Sequence, residues 1–165
     1  MKHVIQKLAL SGLLALAAGA ASADVTVNYI EPDRFSDLPF SSWERDDVLK
    51  TLTKHFTTLG AKLPPGQHLR IDVQDVDLAG RMYPGRGARE LRVIQNNAEW
   101  PRIDLHYTIE QDGKVLRSGK AELRDMSFMD RRGRYADDDA LRYERRMIDD
   151  WFYSTIVPRE RAAQR

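Results

Sequence analysis

The stretch from Arg102 to Lys120 limits the folds open to this chain more than any other. Ile103, Leu105, Tyr107 and Ile109 alternate with Arg102, Asp104, His106 and Thr108. Successive side chains of a strand point to opposite faces, so this pattern predicts an amphipathic strand with one buried face. Asp112-Gly113 follows, a pair suited to the left-handed backbone of a tight hairpin turn. Val115 to Phe128 is the predicted returning strand, with Gly119 marking a bulge or a close approach. A lone hairpin is marginally stable in water, so other elements must cover its apolar face.

Those elements are readable on both sides. Val25, Val27 and Tyr29 alternate within VTVNYI, predicting a strand, and the proline-containing EPDRFSDLPFSS after it predicts an irregular connection. Ser41 and Glu44 have the spacing of a capping box, and Asp46 and Asp47 suit the first turn of a helix. Val48, Leu49, Leu52, Phe56 and Leu59 recur at helical spacing, and Gly60 is placed to stop the helix. The predicted helix spans about 43–59, and LPPG at 63–66 blocks its continuation.

Leu69, Ile71 and Val73 alternate, and Val76 and Leu78 resume one residue out of phase, which predicts a bulged strand. Residues 79–90 read as a glycine-rich loop, and ELRVIQ after it as a short strand. A last helix is expected from Ala140 to about Ile156, preceded by Asp137, Asp138 and Asp139 and ended by Pro158. Arg145 with Asp149 and Arg146 with Asp150 have the spacing of surface ion pairs on a solvated helix face. The arginine-rich tail at 158–165 is expected to fray. The order predicts an α+β fold: a mostly antiparallel sheet of about four to five strands, with two helices packed on one face.

The N-terminus carries a compartment signal. Lys2 and Lys7 precede an apolar run from Leu8 to Ala21, and Ala21-Ser22-Ala23 supplies the small residues of a cleavage site. Residues 1–23 are therefore expected to be a cleaved signal peptide, and 24–165 a single domain. The apolar run is about 14 residues, short of the ~20 that span a bilayer as a helix. The whole chain holds 26 Lys+Arg and 25 Asp+Glu, and the leader removes two lysines and no acid. The mature charge of −1 lacks the basic excess of a general nucleic-acid binder. With no cysteine there is no disulfide, no thiol chemistry, no cysteine-ligated zinc and no lipoprotein anchor. The expected location is the periplasm.

Chemistry-bearing residues gather around the bulged strand. Asp75 and Asp77 share a strand face, an arrangement that serves as acid and base, as oxygen ligands for a hard metal, or simply as a polar face. Arg81, Arg86, Arg89 and Arg92 follow among glycines, where guanidinium groups can grip phosphate or carboxylate, or pair with the neighbouring acids. Trp100 reads either as an exposed anchor or as a plug at the end of the core. Arg102 and Asp104 share the polar face of the next strand. His55, His68 and His106 have no metal spacing, and nucleophile-elbow, phosphate-loop and dinucleotide motifs are missing.

The strings VTVNYIEPDRFSD, DVDLAGR, WPRIDLHYTIEQDGKVLRSG and LRYERRMIDDWF, in this order, resemble a family of exported proteobacterial proteins classed as a domain of unknown function. The resemblance covers most of the mature chain and implies export and one domain; it brings no catalytic residues. A looser architectural likeness is to small envelope lipoproteins with α+β sandwich folds, which often serve as accessory or assembly factors. This chain lacks their lipid-anchoring cysteine.

Together these features predict a non-catalytic, soluble periplasmic binding or accessory domain without cofactor or metal. It would recognise an envelope protein or an anionic glycolipid or glycan through Arg81, Arg86, Arg89, Trp100 and Arg102, supported by Asp75, Asp77 and Asp104. A second reading is a metal-assisted hydrolase using Asp75 and Asp77 with His106. A third is a structural protein docking through its C-terminal helix, with Arg145 and Asp149 setting specificity.

Overall fold

The computed structural model describes residues 23–85, 90–131, 135–136 and 138–157. Residues 1–22 of the expected leader, Arg86, Arg89, Asp137 and the tail at 158–165 lie outside the described residues. In chain order the elements are β1 (Asp24–Tyr29), α1 (Ser42–Gly60), β2 (Gln67–Asp77), β3 (Arg81–Pro84), β4 (Glu90–Val93), β5 (Arg102–Gln111), β6 (Lys114–Arg124) and α2 (Arg142–Trp151). A π-helical turn at Phe152–Ile156 continues α2. The fold is α+β, with a four-stranded sheet ordered β1-β2-β5-β6 and a separate two-stranded ribbon, β3-β4. None of the described helices is long and apolar enough to cross a membrane.

The hairpin forms as its sequence dictates. Asp112 and Gly113 take φ of 53° and 72°, and β5 pairs antiparallel with β6. Gly119 is the predicted close approach: a Cβ there would stand 3.2 Å from the Tyr107 ring. The bulge in this pair falls elsewhere, between Ile109 and Glu110, and β6 ends at Arg124, leaving Phe128 in a turn. The phase slip in β2 is also realised, with a register shift between Val73 and Asp75 against β5. The extra residue returns Val76 to the core and leaves Asp75 and Asp77 on the other face. Ile71, Val73, Val76, Ile103 and Leu105 are almost fully buried, each contributing about 1.5–3 kcal/mol.

Two features stand out at β1. This strand runs parallel to β2, from Asp24 beside His68 to Tyr29 beside Val73, which requires the long crossover that α1 supplies. Gly60 ends α1 for a different reason from the one its position suggested. The residue after it, Ala61, is right-handed, and a Cβ on Gly60 would lie 2.0 Å from Val25 Cγ2. The glycine lets the helix end rest on β1. Tyr29 locks the same junction, its hydroxyl donating to Leu49 O at 3.0 Å, and burial pushes that hydroxyl up to about 12.

The expected loop at 79–90 is also corrected. Arg81–Pro84 pairs with Glu90–Val93 as an antiparallel ribbon. Glycine and proline hid the strand because the pairing is only four residues long and ends at the proline.

Candidate functional site

The bulge places Asp75 and Asp77 on the polar face of β2, and each has taken a structural partner. Asp75 accepts the backbone N–H of Ser36 at 2.7 Å and its hydroxyl at 2.6 Å, fastening the 30–40 connection to the sheet. Among the described residues it holds no arginine. Asp77 is gripped by Arg102, whose Nε lies at 2.8 Å. Asp104 is near Arg124 at 3.6 Å, so it does not pair with Arg102. His106 sits in register between Asp72 and Lys120, apart from Asp75 and Asp77. Among the described residues, no three acids or histidines come together where a metal would be held.

The segment around Arg81 does come alongside the start of β5. Gly80 N–H donates to Glu99 O at 2.9 Å, and the Arg81 guanidinium pairs with the Glu99 carboxylate. Trp100, the next residue, is half-buried, with its indole Nε1 enclosed and without a hydrogen-bond partner. Arg81, Trp100 and Arg102 are therefore neighbours in the chain trace, but both guanidiniums already hold acids. Asp37, which bridges to β2 beside Asp77, is shifted upward by burial and then by the charge of Asp77. Asp72 moves the other way. Burial alone would raise it, but hydrogen bonds from Asn28 at 2.7 Å and Arg70 at 3.2 Å hold it below the usual range.

Arg92 behaves unlike the rest of its group. It reaches from β4 across to α2, where its guanidinium pairs with Glu144 and donates to Ala140 O at 2.6 Å. Glu144 is fully buried and also accepts Ala79 N–H at 2.8 Å. Arg146 is buried as well, donating to the carbonyls of Phe128 and Arg131 at 2.6 Å and to Asp125 at 3.0 Å. Asp149 accepts the Tyr135 hydroxyl at 2.7 Å and lies 3.0 Å from His55 Nε2 on α1. Arg145 pairs with Asp139 and Asp150 with Arg131. The expected Arg145–Asp149 and Arg146–Asp150 pairs are thus not formed. The α2 charges fasten loops and the ribbon to the helix, where a solvated face had been expected.

A recess of about 590 Å³ opens between the first half of α1, the ribbon and the turn before α2. Trp43, Asp47 and Thr51 line it at four-residue spacing, with Glu44 and Val48 on the adjacent row of the helix. Met82, Glu90 and Arg92 line it from the ribbon, and Leu78, Asp139 and Leu141 contribute to the rest. Trp43 is 66% exposed, and Phe40, just before the helix, is 86% exposed. The capping box is not made: Ser41 forms no side-chain cap, and Glu44 Oε2 is enclosed with no hydrogen-bond partner. These residues were missed in the sequence because capping and dipole roles appeared to account for the acids. The overlooked signal is a tryptophan at the start of a helix, outside the Leu49–Leu52–Phe56 stripe.

A second recess of about 510 Å³ lies between β6 and α2. Its charged walls largely satisfy one another, through Arg124 with Glu122 and Arg131 with Asp150.

The described chain is thus an α+β protein with a mixed four-stranded sheet and a ribbon-walled recess that carries no recognisable catalytic constellation. It belongs to the family described as protein of unknown function (DUF3016), which matches residues 23–154. No curated protein and no solved structure matches it.

Proposed function

We propose that this chain is an exported, non-catalytic binding or accessory domain of the cell envelope, and that it docks a protein partner at the recess beside α1. The observation that carries this reading is the pairing of exposed Phe40 and Trp43 with an open recess on one helix end. Large exposed aromatics beside a concave surface are the anchors that dominate protein interfaces. Both helices are read as covering one face of the sheet. Trp151 supports this by touching Tyr107 of β5 at 5.8 Å and Phe56 of α1 at 6.3 Å between ring centres. Export rests on the basic, apolar and small-residue sequence at 1–23.

The recess is preferred here to the arginine loop because, of the described arginines, Arg81 and Arg102 are already neutralised by Glu99 and Asp77. An anionic ligand would have to displace those carboxylates.

Photo-crosslinking in intact cells tests the reading. A benzophenone amino acid at position 43 or 40 is expected to give a discrete adduct with one partner. The same group at Leu116, an exposed apolar residue on β6, is the control and is expected to give none. No adduct at 43 and 40, or the same adduct at all three positions, overturns the proposal.

A further inference from the structure

The charges that the recess leaves open define what its partner must carry. Four acids line it: Glu44, Asp47, Glu90 and Asp139. Asp139 is occupied, accepting Leu141 N–H at 2.9 Å and pairing with Arg145. Among the described residues, Glu90 accepts only the backbone N–H of Phe40. Glu44 and Asp47 hold no partner among the described residues, and Glu44 Oε2 is shut away from solvent. The cation among the lining residues is Arg92, whose donors go to Glu144, Ala79 O and Ala140 O. Among the described residues, the recess therefore presents uncompensated carboxylates on a largely apolar wall that includes Val48, Leu78 and Met82. An enclosed carboxylate oxygen without a donor costs free energy that an incoming N–H can recover.

A small hydrated cation would answer the charge but leave the apolar wall and Trp43 unused. A guanidinium or ammonium on a hydrocarbon stem answers all three. Its head pairs with Glu44 and Asp47, its charge is attracted to the Trp43 ring, and its stem covers the aliphatic wall. A recess of about 590 Å³ is also within the size range of sites that enclose compact ligand groups.

We infer that the recess docks a basic, amphipathic segment of a protein partner, seating an Arg or Lys side chain among Trp43, Glu44 and Asp47. This rests on the docking reading given above, and charge complementarity commits it to a basic partner.

The test measures fluorescence anisotropy of labelled eight-residue peptides with the full mature chain. One peptide alternates arginine with leucine; its isostere carries citrulline at every arginine, keeping shape and removing charge. The arginine peptide is expected to bind at least ~10-fold tighter than the citrulline peptide, and to weaken with added salt. The Glu44→Gln/Asp47→Asn double variant is expected to lose that ~10-fold preference for the arginine peptide. Neither carboxylate holds a partner among the described residues, so this variant should melt at or above the parental temperature. Should it not fold, Trp43→Ala alone must weaken the arginine peptide.

Equal affinity for the two peptides, or a preference that survives in the double variant, overturns the inference. The crosslink from position 43 then separates the cases. If the adduct persists, the docking reading stands and only its basic partner falls; if it is lost, both fall. Spermidine supplies the remaining arm: displacement of the arginine peptide at matched charge concentration assigns the recess to a free amine and overturns the protein partner.

Discussion

The two helices use their charges in opposite ways. On α2, Glu144, Arg146 and Asp149 are buried and bonded to residues far away in the chain. On the first half of α1, Glu44 and Asp47 line an open recess with no partner among the described residues, beside an exposed tryptophan. A charge-rich helix is therefore not by itself a surface helix. Charges that are bonded throughout hold the architecture, and those left open are where a ligand gains something by arriving.

The sharpest way to break this contrast is at Glu144. Glu144→Ala removes the carboxylate that holds Arg92 and Ala79 N–H, leaving a half-buried guanidinium without its counter-charge. Loss of one partner of a buried pair costs about 3–5 kcal/mol, so urea unfolding should shift far below the parental midpoint. A loss under 1 kcal/mol would place Glu144 with the open charges of α1.

A smaller effect is expected at the other end of α1. Gly60→Ala drives a methyl group toward Val25 Cγ2, at 2.0 Å from the unrelaxed position. Overpacking of this kind costs about 1–3 kcal/mol, read again from denaturant unfolding. An unchanged midpoint would show that α1 shifts freely on β1.

The smallest effect belongs to Asp37, which lies between the two extremes. Its folded-state value is raised above the unfolded one, by burial first and then by Asp77. A raised carboxyl costs stability when ionised, and the cost vanishes as pH falls below the unfolded value. Asp37→Asn should therefore stabilise the protein at pH 7 by about a few tenths of a kcal/mol after solvent screening. The gain should disappear near pH 3, well below the usual carboxyl value. A gain that persists in acid would point to a packing effect.

The parts of the fold visible in the sequence are those governed by local periodicity. Ile103 to Ile109, the Asp112-Gly113 turn, the slip after Val73 and the Leu49–Leu52–Phe56 stripe announce their elements because burial repeats every two residues or every three to four. The ribbon did not, because Arg81–Pro84 has no apolar alternation and draws its stability from Arg92 and Glu144, 52 residues apart. The α2 ion pairs were misassigned for the same reason. Arg145 and Arg146 have acids four residues away, but folding brought Asp139 and Asp125 to them instead. The recess was hidden because it forms between α1 and a ribbon not recognised as structure.

The bonds that α2 makes also bear on timing. Glu144 joins to Ala79 across 65 residues, and Arg145 O to His55 across 90. A growing chain has no means to seal the ribbon or satisfy His55 until α2 has emerged. Contacts this distant in sequence also slow the search for the native state. The lock therefore closes only after every segment it joins, from His55 to α2, has been made. On the export proposed above, such a delay would keep the chain open for threading through a membrane.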